Sequence, residues 1–178
     1  MRRARPACTH HAEPTRVSAT ADMTLSVEHA DERDIAAIAA LNNTFAPDGL
    51  TLPRSIDFVT NHLQDYQVVR DANDGLLGCV ALDEYSPSLV ELISLAVDPC
   101  AQGRGIGRRL ILAAEELARQ RGYPEIFAVS LADQLFLSAG FHESTIDVYP
   151  EKILRYAKIS RSELSIGRKF CFARTLTP

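Results

Sequence analysis

The chain has 178 residues, 46% of them hydrophobic, and a net charge of −4, which is enough apolar material to bury one sizeable core and therefore one domain. That charge balance gives no electrostatic case for nucleic acid or an anionic membrane as partner, and no apolar run approaches the roughly 20 residues that a bilayer span needs. Cys8, Cys79, Cys100 and Cys171 form no C-x-x-C pair and have no matching His spacing, so they read as reduced packing residues of a cytoplasmic protein and not as metal ligands.

Residues 1–22, "MRRARPACTHHAEPTRVSATAD", hold four Arg, two acids and almost no large apolar side chain. Such a stretch cannot bury enough surface to offset its ordering entropy, and it reads as a flexible tail before a domain over residues 23–178. An Arg-rich, acid-poor leader is also compatible with targeting, although it has no clear amphipathic period. "LSVEHA" then reads as a short strand, and Asp31 can cap a helix in which Ile35, Ile38 and Leu41 recur at helical spacing. After a loop over Asn42 to Pro53, a second helix is expected from Ser55 to Gln64.

"YQVVRD" and "LLGCVALDEY", joined by "ANDG", carry a hairpin signal, and "LVELISLAV" follows as a third neighbouring strand. A long helix from about Gly105 to Arg121 puts Ile106, Leu110, Ala113, Ala114 and Leu117 on one face. "EIFAVS" reads as a buried strand and "DQLFLSA" as a short helix with Gly140 at its C-terminal end. "FHESTIDVY" and "GRKFCFARTL" supply the last two strands, with a short helix over Glu151 to Ala157 between them. The sum is a mixed α/β sheet of about seven strands with helices on both faces.

The turn "QGRGIG", Gln102 to Gly107, is the most informative stretch. A helix start leaves N–H groups unpaired and carries partial positive charge. Gly103, Gly105 and Gly107 would let an anion approach those amides, and Arg104, Arg108 and Arg109 add positive charge where the helix dipole disfavours it. A tight strand-to-helix turn with solvated arginines is the plainer alternative. The G-x-G-x-G spacing does not match the dinucleotide pattern, and no G-K-[ST] follows as in a phosphate loop.

"QGRGIG", after "LAVDP" and before a long helix, resembles the acetyl-CoA motif of the GNAT superfamily of N-acetyltransferases, and "LFLSAGF" resembles that family's second landmark. The resemblance implies a mostly antiparallel central sheet and acetyl-CoA as co-substrate. It implies that Leu95, Ala96 and Val97 offer backbone groups to the pantetheine arm, while Gln102, Gly103, Arg104, Gly105, Ile106, Gly107 and Arg108 hold the pyrophosphate. From about Leu25 to Phe141 the chain resembles, more narrowly, the acetyltransferase domain of N-acetylglutamate synthases, through "TLPRSIDFV", "VELISLAVDP", "EIFAVSLADQLFLSAGF" and, more loosely, "IDVYPEKILRYAK". The implied partner is a small amino acid, glutamate first, and the association common among such relatives is a homodimer.

Acetyl transfer needs a neutral amine, so a base must take its proton. Alternation along "LVELISLAV" puts Glu91 on one face with Ile93 and Leu95; it reads either as a carboxylate set into an apolar site or as an edge Glu, and it falls on the proposed base of the synthase domain. Many GNAT enzymes place a Tyr in the short helix as acid, where this chain has Phe136. The synthases are proposed to use a hydroxyl at the end of the preceding strand, here Ser130, which is equally readable as a helix cap. Tyr149 and Tyr156 are further acid candidates. Arg54 matches a substrate-binding Arg of the synthases, and its fork suits a carboxylate, although a solvated surface Arg is the bland reading. Ser94 and Arg168 complete the implied substrate set, with Lys169 as an alternative to Arg168. The synthase pattern expects Ser two residues after that Arg, and Phe170 stands there. Another amine acceptor, or a non-catalytic acyl-CoA-binding module, therefore stays open.

Overall fold

A computed structural model describes residues 25–157 and 170–176. The tail over residues 1–22, Arg168 and Lys169 lie outside the described residues. The elements in order are β1 (Val27–His29), α1 (Ile35–Thr44), α2 (Ile56–Asn61), β2 (Tyr66–Arg70), β3 (Leu76–Ser86), β4 (Leu89–Val97), α3 (Ile106–Gln120), β5 (Glu125–Ser130), α4 (Asp133–Ser138), β6 (His142–Ser144), α5 (Pro150–Tyr156) and β7 (Phe170–Thr175). Two expectations shorten: α2 stops at Asn61 and a 3-10 turn over Leu63–Asp65 follows, and "FHESTIDVY" gives a three-residue strand before a 3-10 turn over Ile146–Val148.

Among the described residues, seven strands form one sheet in the order β1-β2-β3-β4-β5-β7-β6. β4 and β5 pair in parallel and the other neighbours pair antiparallel. The parallel step needs a crossover, which α3 supplies. Strand alternation then sends consecutive residues to two cores. Val69, Val80 and Leu82 pack with Ile106, Leu110 and Ile111 of α3 and Phe136 of α4. Val68, Cys79 and Ala81 pack with Ile38 of α1 and Val59 of α2. Burying each large aliphatic side chain is worth about 1.5–3 kcal/mol, so this double-sided packing, not helix propensity, holds elements as short as α2 and α4.

Capping supports the same layout. The Asp31 carboxylate accepts from Arg33 N, and the Asp31 N–H donates to Asp34 Oδ2 at 2.8 Å, ahead of α1. Buried Asp34 in turn receives Arg70 Nη2 at 2.5 Å and Nε at 3.0 Å, tying the start of α1 to β2. At the end of α4, Gly140 adopts φ 92°, Gly140 N donates to Leu137 O and Phe141 N donates to Phe136 O, the pattern of a left-handed helix stop.

Cys79 and Cys171 are buried free thiols, and burial pushes them up to about 12 and about 11. Cys100 departs from the expectation of reduced cysteines: it is exposed in the turn after β4 and disulfide-bonded. Among the described residues no helix is long and apolar enough to cross a membrane.

Candidate active site

The β4–β5 ladder registers only Val90 with Ile126 and Glu91 with Phe127. Beyond that point β4 runs on to Val97 and β5 to Ser130 without pairing to each other. The split leaves the β4 edge with unpaired backbone groups facing an opening, a place where a ligand can add hydrogen bonds.

A bulge sits at the split. Ala81 pairs with Ile93 and Cys79 with Ala96, so Val80 faces both Ser94 and Leu95. Ser94 takes φ 53°, a left-handed conformation that costs a non-glycine residue about 1–2 kcal/mol and that clusters at functional sites. The bulge corrects one sequence expectation. Ile93 and Ala96 share the α1/α2 face, whereas Leu95 joins the core on the α3 face, so Leu95 does not share a face with Glu91 and Ile93. Simple alternation fails because the extra residue resets the period.

Two adjoining cavities occupy the split. The larger, about 480 Å³, is lined by Leu95, Ala96, Val97, Gln102, Gly103, Gly105, Ile106, Gly107 and Arg108 on one side, and by Phe45, Leu50, Thr51, Ser130, Leu131, Ala132 and Leu135 elsewhere. Gly105 caps α3 in a left-handed conformation (φ 76°), no side chain caps that helix, and its first turn holds no acid, so its leading amides face the cavity uncompensated. A Cβ at Gly103 or Gly105 would meet nothing within 4 Å, whereas one at Gly107 would press on Leu135 at 3.2 Å. Gly103 and Gly105 are thus required by their backbone angles, and Gly107 by the contact of α3 with α4.

The arginines divide. Arg108 lines the cavity and donates to Ser138 O at 3.4 Å. Arg104 is exposed and does not line it. Arg109 turns away, donating to Leu25 O at 2.8 Å beside β1, a tertiary contact invisible in the turn's own sequence. Gln102 Nε2 donates to Val97 O at 3.2 Å.

The smaller cavity, about 70 Å³, shares Leu50, Thr51, Leu95 and Ser130 with the larger one and adds Arg54, Glu91 and Ser94. The structure therefore brings Arg54 from the loop before α2, Glu91 and Ser94 from β4, and Ser130 from β5 to one place. Arg54 Nε donates to Ser94 Oγ at 3.2 Å, and its guanidinium lies 4.2 Å over the Phe58 ring. Ser55 caps α2 through Phe58 N, so Arg54 acts by its own side chain. Ser130 Oγ accepts Ala132 N–H at 3.1 Å and does not cap α4, whose N-cap is Ala132. Its own hydrogen stays available to the cavity.

Glu91 is 3% exposed. Tyr85 OH donates to its Oε2 at 2.9 Å, and Lys152 Nζ reaches the same oxygen at 2.7 Å. Burial, then the Glu91 charge, pushes the Tyr85 hydroxyl well above its ordinary range, so it stays a donor. Phe136 stacks on Phe172 and is 1% exposed, a core residue. Tyr149 lines neither cavity; its hydroxyl donates to Glu125 at 2.7 Å.

Sequence reasoning missed the groups behind these side chains. Asn43 accepts from Arg54 N at 2.8 Å and donates to Arg54 O at 2.9 Å, clamping that residue's backbone. Tyr66 OH donates to Ser94 Oγ at 3.2 Å, with burial pushing the phenol up to about 12. Lys152 supports Glu91. The signals were present but weak: paired Asn at a helix end, where their side chains favour backbone partners, and a Lys on the buried side of a short helix.

A sequence profile described as the Acetyltransferase (GNAT) family matches residues 24–144. The chain belongs to that family. An uncharacterized N-acetyltransferase of Chlorobaculum tepidum is 33% identical over 129 residues, which are 72% of this chain and 83% of that protein. An amino-acid acetyltransferase of Neisseria meningitidis is 34% identical over 130 residues, 71% of this chain and 29% of that protein. Among solved structures, N-acetylglutamate synthase from Neisseria gonorrhoeae, complexed with coenzyme A and N-acetyl-glutamate, matches with TM-score 0.74 and 31% identity over 86% of this chain and 35% of that one. The chain thus spans about a third of the two Neisseria proteins.

As a GNAT acyltransferase it uses acetyl-CoA as co-substrate, and the larger cavity suits that molecule. Its walls are mainly apolar, while the uncapped amides of α3 and Arg108 stand at one end for phosphate. Gly105→Ala is expected to lower stability by about 1–2 kcal/mol, the strain of a left-handed alanine, and to raise the KM for acetyl-CoA. Gly122→Ala is the control: Gly122 has φ 82° and equally open surroundings but does not line the cavity. Thermal melts should show similar losses for both, and an equal effect of the two on the acetyl-CoA KM would refute a cofactor role for Gly105.

Proposed function

We propose that the chain, with residues 23–178 as its catalytic domain, acetylates the α-amine of L-glutamate by direct transfer from acetyl-CoA, the step that opens arginine synthesis. The observation that carries this reading is the Arg54 to Ser94 contact in the pocket that also holds Glu91 and Ser130. An acid-binding pair, a base and a hydroxyl donor stand there beside the cofactor cavity. The glutamate assignment is supported further by the likeness to the amino-acid acetyltransferase and the synthase.

In this reading Arg54 and Ser94 bind a substrate carboxylate. Glu91 Oε1, the oxygen that carries neither the Tyr85 nor the Lys152 contact, takes a proton from the substrate ammonium, directly or through water. Acetyl-CoA supplies the acetyl group as a thioester. The freed amine attacks the thioester carbon and the C–S bond breaks. Ser130 gives its hydroxyl proton to the departing sulfur and is reprotonated, directly or through water, by the second proton that the nitrogen sheds, while Glu91 releases its proton to solvent. Gly103, Gly105, Ile106, Gly107 and Arg108 hold the pyrophosphate, and Leu95 to Val97 border the pantetheine arm.

The test is the initial rate of free CoA release with each common amino acid as acceptor. Glutamate should stand far above the others. A different leading acceptor would remove the glutamate assignment and leave acetyl transfer in place.

A further inference from the structure

Lys152 lines neither cavity, yet several contacts combine to place its ammonium against Glu91. Tyr149, just before α5, stacks on Phe127 at 4.1 Å with an interplanar angle of 12°, and Phe127 is the register partner of Glu91 across β4 and β5. Pro150 then starts α5, which brings Lys152 Nζ to 2.7 Å from Glu91 Oε2, with both side chains more than nine-tenths buried. On the same side of α5, Arg155 pairs with Asp83, the β3 register partner of Glu91, and lies 3.8 Å over the Tyr85 ring. Tyr85 and Lys152 thus hold one oxygen of Glu91 from β3 and from α5.

We infer that Lys152 is a positioning residue for the acetyl transfer: with Tyr85 it fixes Glu91 Oε2, so that Oε1 is the oxygen presented to the substrate amine. This rests on the reading of Glu91 as the base. Stability alone does not account for the pair, because a buried ion pair is often matched or bettered by apolar residues of similar volume. Direction does account for it. A Glu side chain has several rotatable bonds, and holding one oxygen at two points removes orientations that aim the other away from the substrate.

The experiment is a double-mutant cycle on kcat with Lys152→Met, Glu91→Gln and the double variant, with Lys152→Arg as the conservative replacement. Lys152→Met should lower kcat roughly tenfold, the scale of one lost hydrogen bond to a charged group, and leave the KM for acetyl-CoA unchanged. Lys152→Arg should recover part of the loss, and Lys152→Met should add nothing in the Glu91→Gln background. A full-rate Lys152→Met enzyme, or an equal loss in both backgrounds, overturns the positioning role. If Lys152→Met does not fold, the charge-balanced double variant is compared with Glu91→Gln alone: equal residual rates support the role and a lower rate in the double variant refutes it. The two readings fail separately. Full activity in Glu91→Gln removes the base and this inference with it, whereas an impaired Glu91→Gln beside an unimpaired Lys152→Met removes only the positioning role.

Discussion

Glu91→Gln is expected to lower kcat by about 10²–10⁴, the usual contribution of a positioned base when proton removal limits the rate, with little change in CoA affinity. The substitution is nearly isosteric, and a Gln carbonyl can still accept from Tyr85 OH, so the local packing survives. What disappears is the capacity to take a proton from an ammonium. The substitution also leaves the Lys152 charge buried without its partner, which is unfavourable in itself. Part of any loss could therefore be structural, and the Glu91→Gln/Lys152→Met variant separates the two effects by restoring neutrality. A lost base predicts that the double variant stays as slow as Glu91→Gln; recovery toward the native rate would mean that the unpaired lysine, and not the missing base, caused the defect. CoA binding by calorimetry supplies the fold control, since Glu91 does not line the larger cavity. Native turnover in Glu91→Gln at neutral pH would sink the assignment outright.

The sequence made some parts of this site legible and hid others for identifiable reasons. Local signals held where local physics decides the structure. The "ANDG" turn places β2 against β3, Asp31 caps the 3-10 turn Glu32–Asp34 that leads into α1, whose own N-cap is Asp34, and the glycine turn opens α3 with Gly105 in a left-handed conformation. Period-2 reasoning failed at Ser94, because a bulge is set by pairing with β3 and leaves no residue such as glycine to announce it. Arg109 was grouped with Arg104 and Arg108 by adjacency, but its direction is fixed by Leu25, a contact across most of the described chain. The support behind Glu91 was hidden most deeply. Lys152 lies beyond β5 and β6 in sequence, and only the stacking of Tyr149 on Phe127 reveals that α5 returns to the base of the split. Residue types at short spacing therefore located the turn that lines the larger cavity, while the groups packed behind Glu91 and Arg54 depend on contacts between distant segments.

Arg54→Ala tests substrate identity most directly, and the expected result is a rise in the KM for glutamate of roughly ten- to a hundredfold, the worth of a charge-assisted hydrogen bond. The fold should tolerate the change. Asn43 holds the backbone of residue 54 through both its N–H and its C=O, so the loop does not depend on the guanidinium, and the lost stacking on Phe58 is partly exposed. The effect should be confined to the acceptor, because Arg54 lines the smaller cavity and not the larger; the KM for acetyl-CoA should stay within about twofold. Arg54→Lys keeps the charge but not the planar fork, and Lys is too short of donors in the right plane to reach Ser94 and a carboxylate together, so it should recover only part of the affinity. Ser94→Ala supplies the complementary probe. Ser94 Oγ receives both Arg54 Nε and Tyr66 OH, which leaves its own hydrogen to donate into the pocket. If Arg54 and Ser94 act on the same carboxylate, the two substitutions should be less than additive in the KM for glutamate. An Arg54→Ala enzyme with native KM for glutamate would show that the carboxylate is held elsewhere, and the choice of acceptor would then have to be argued from other residues.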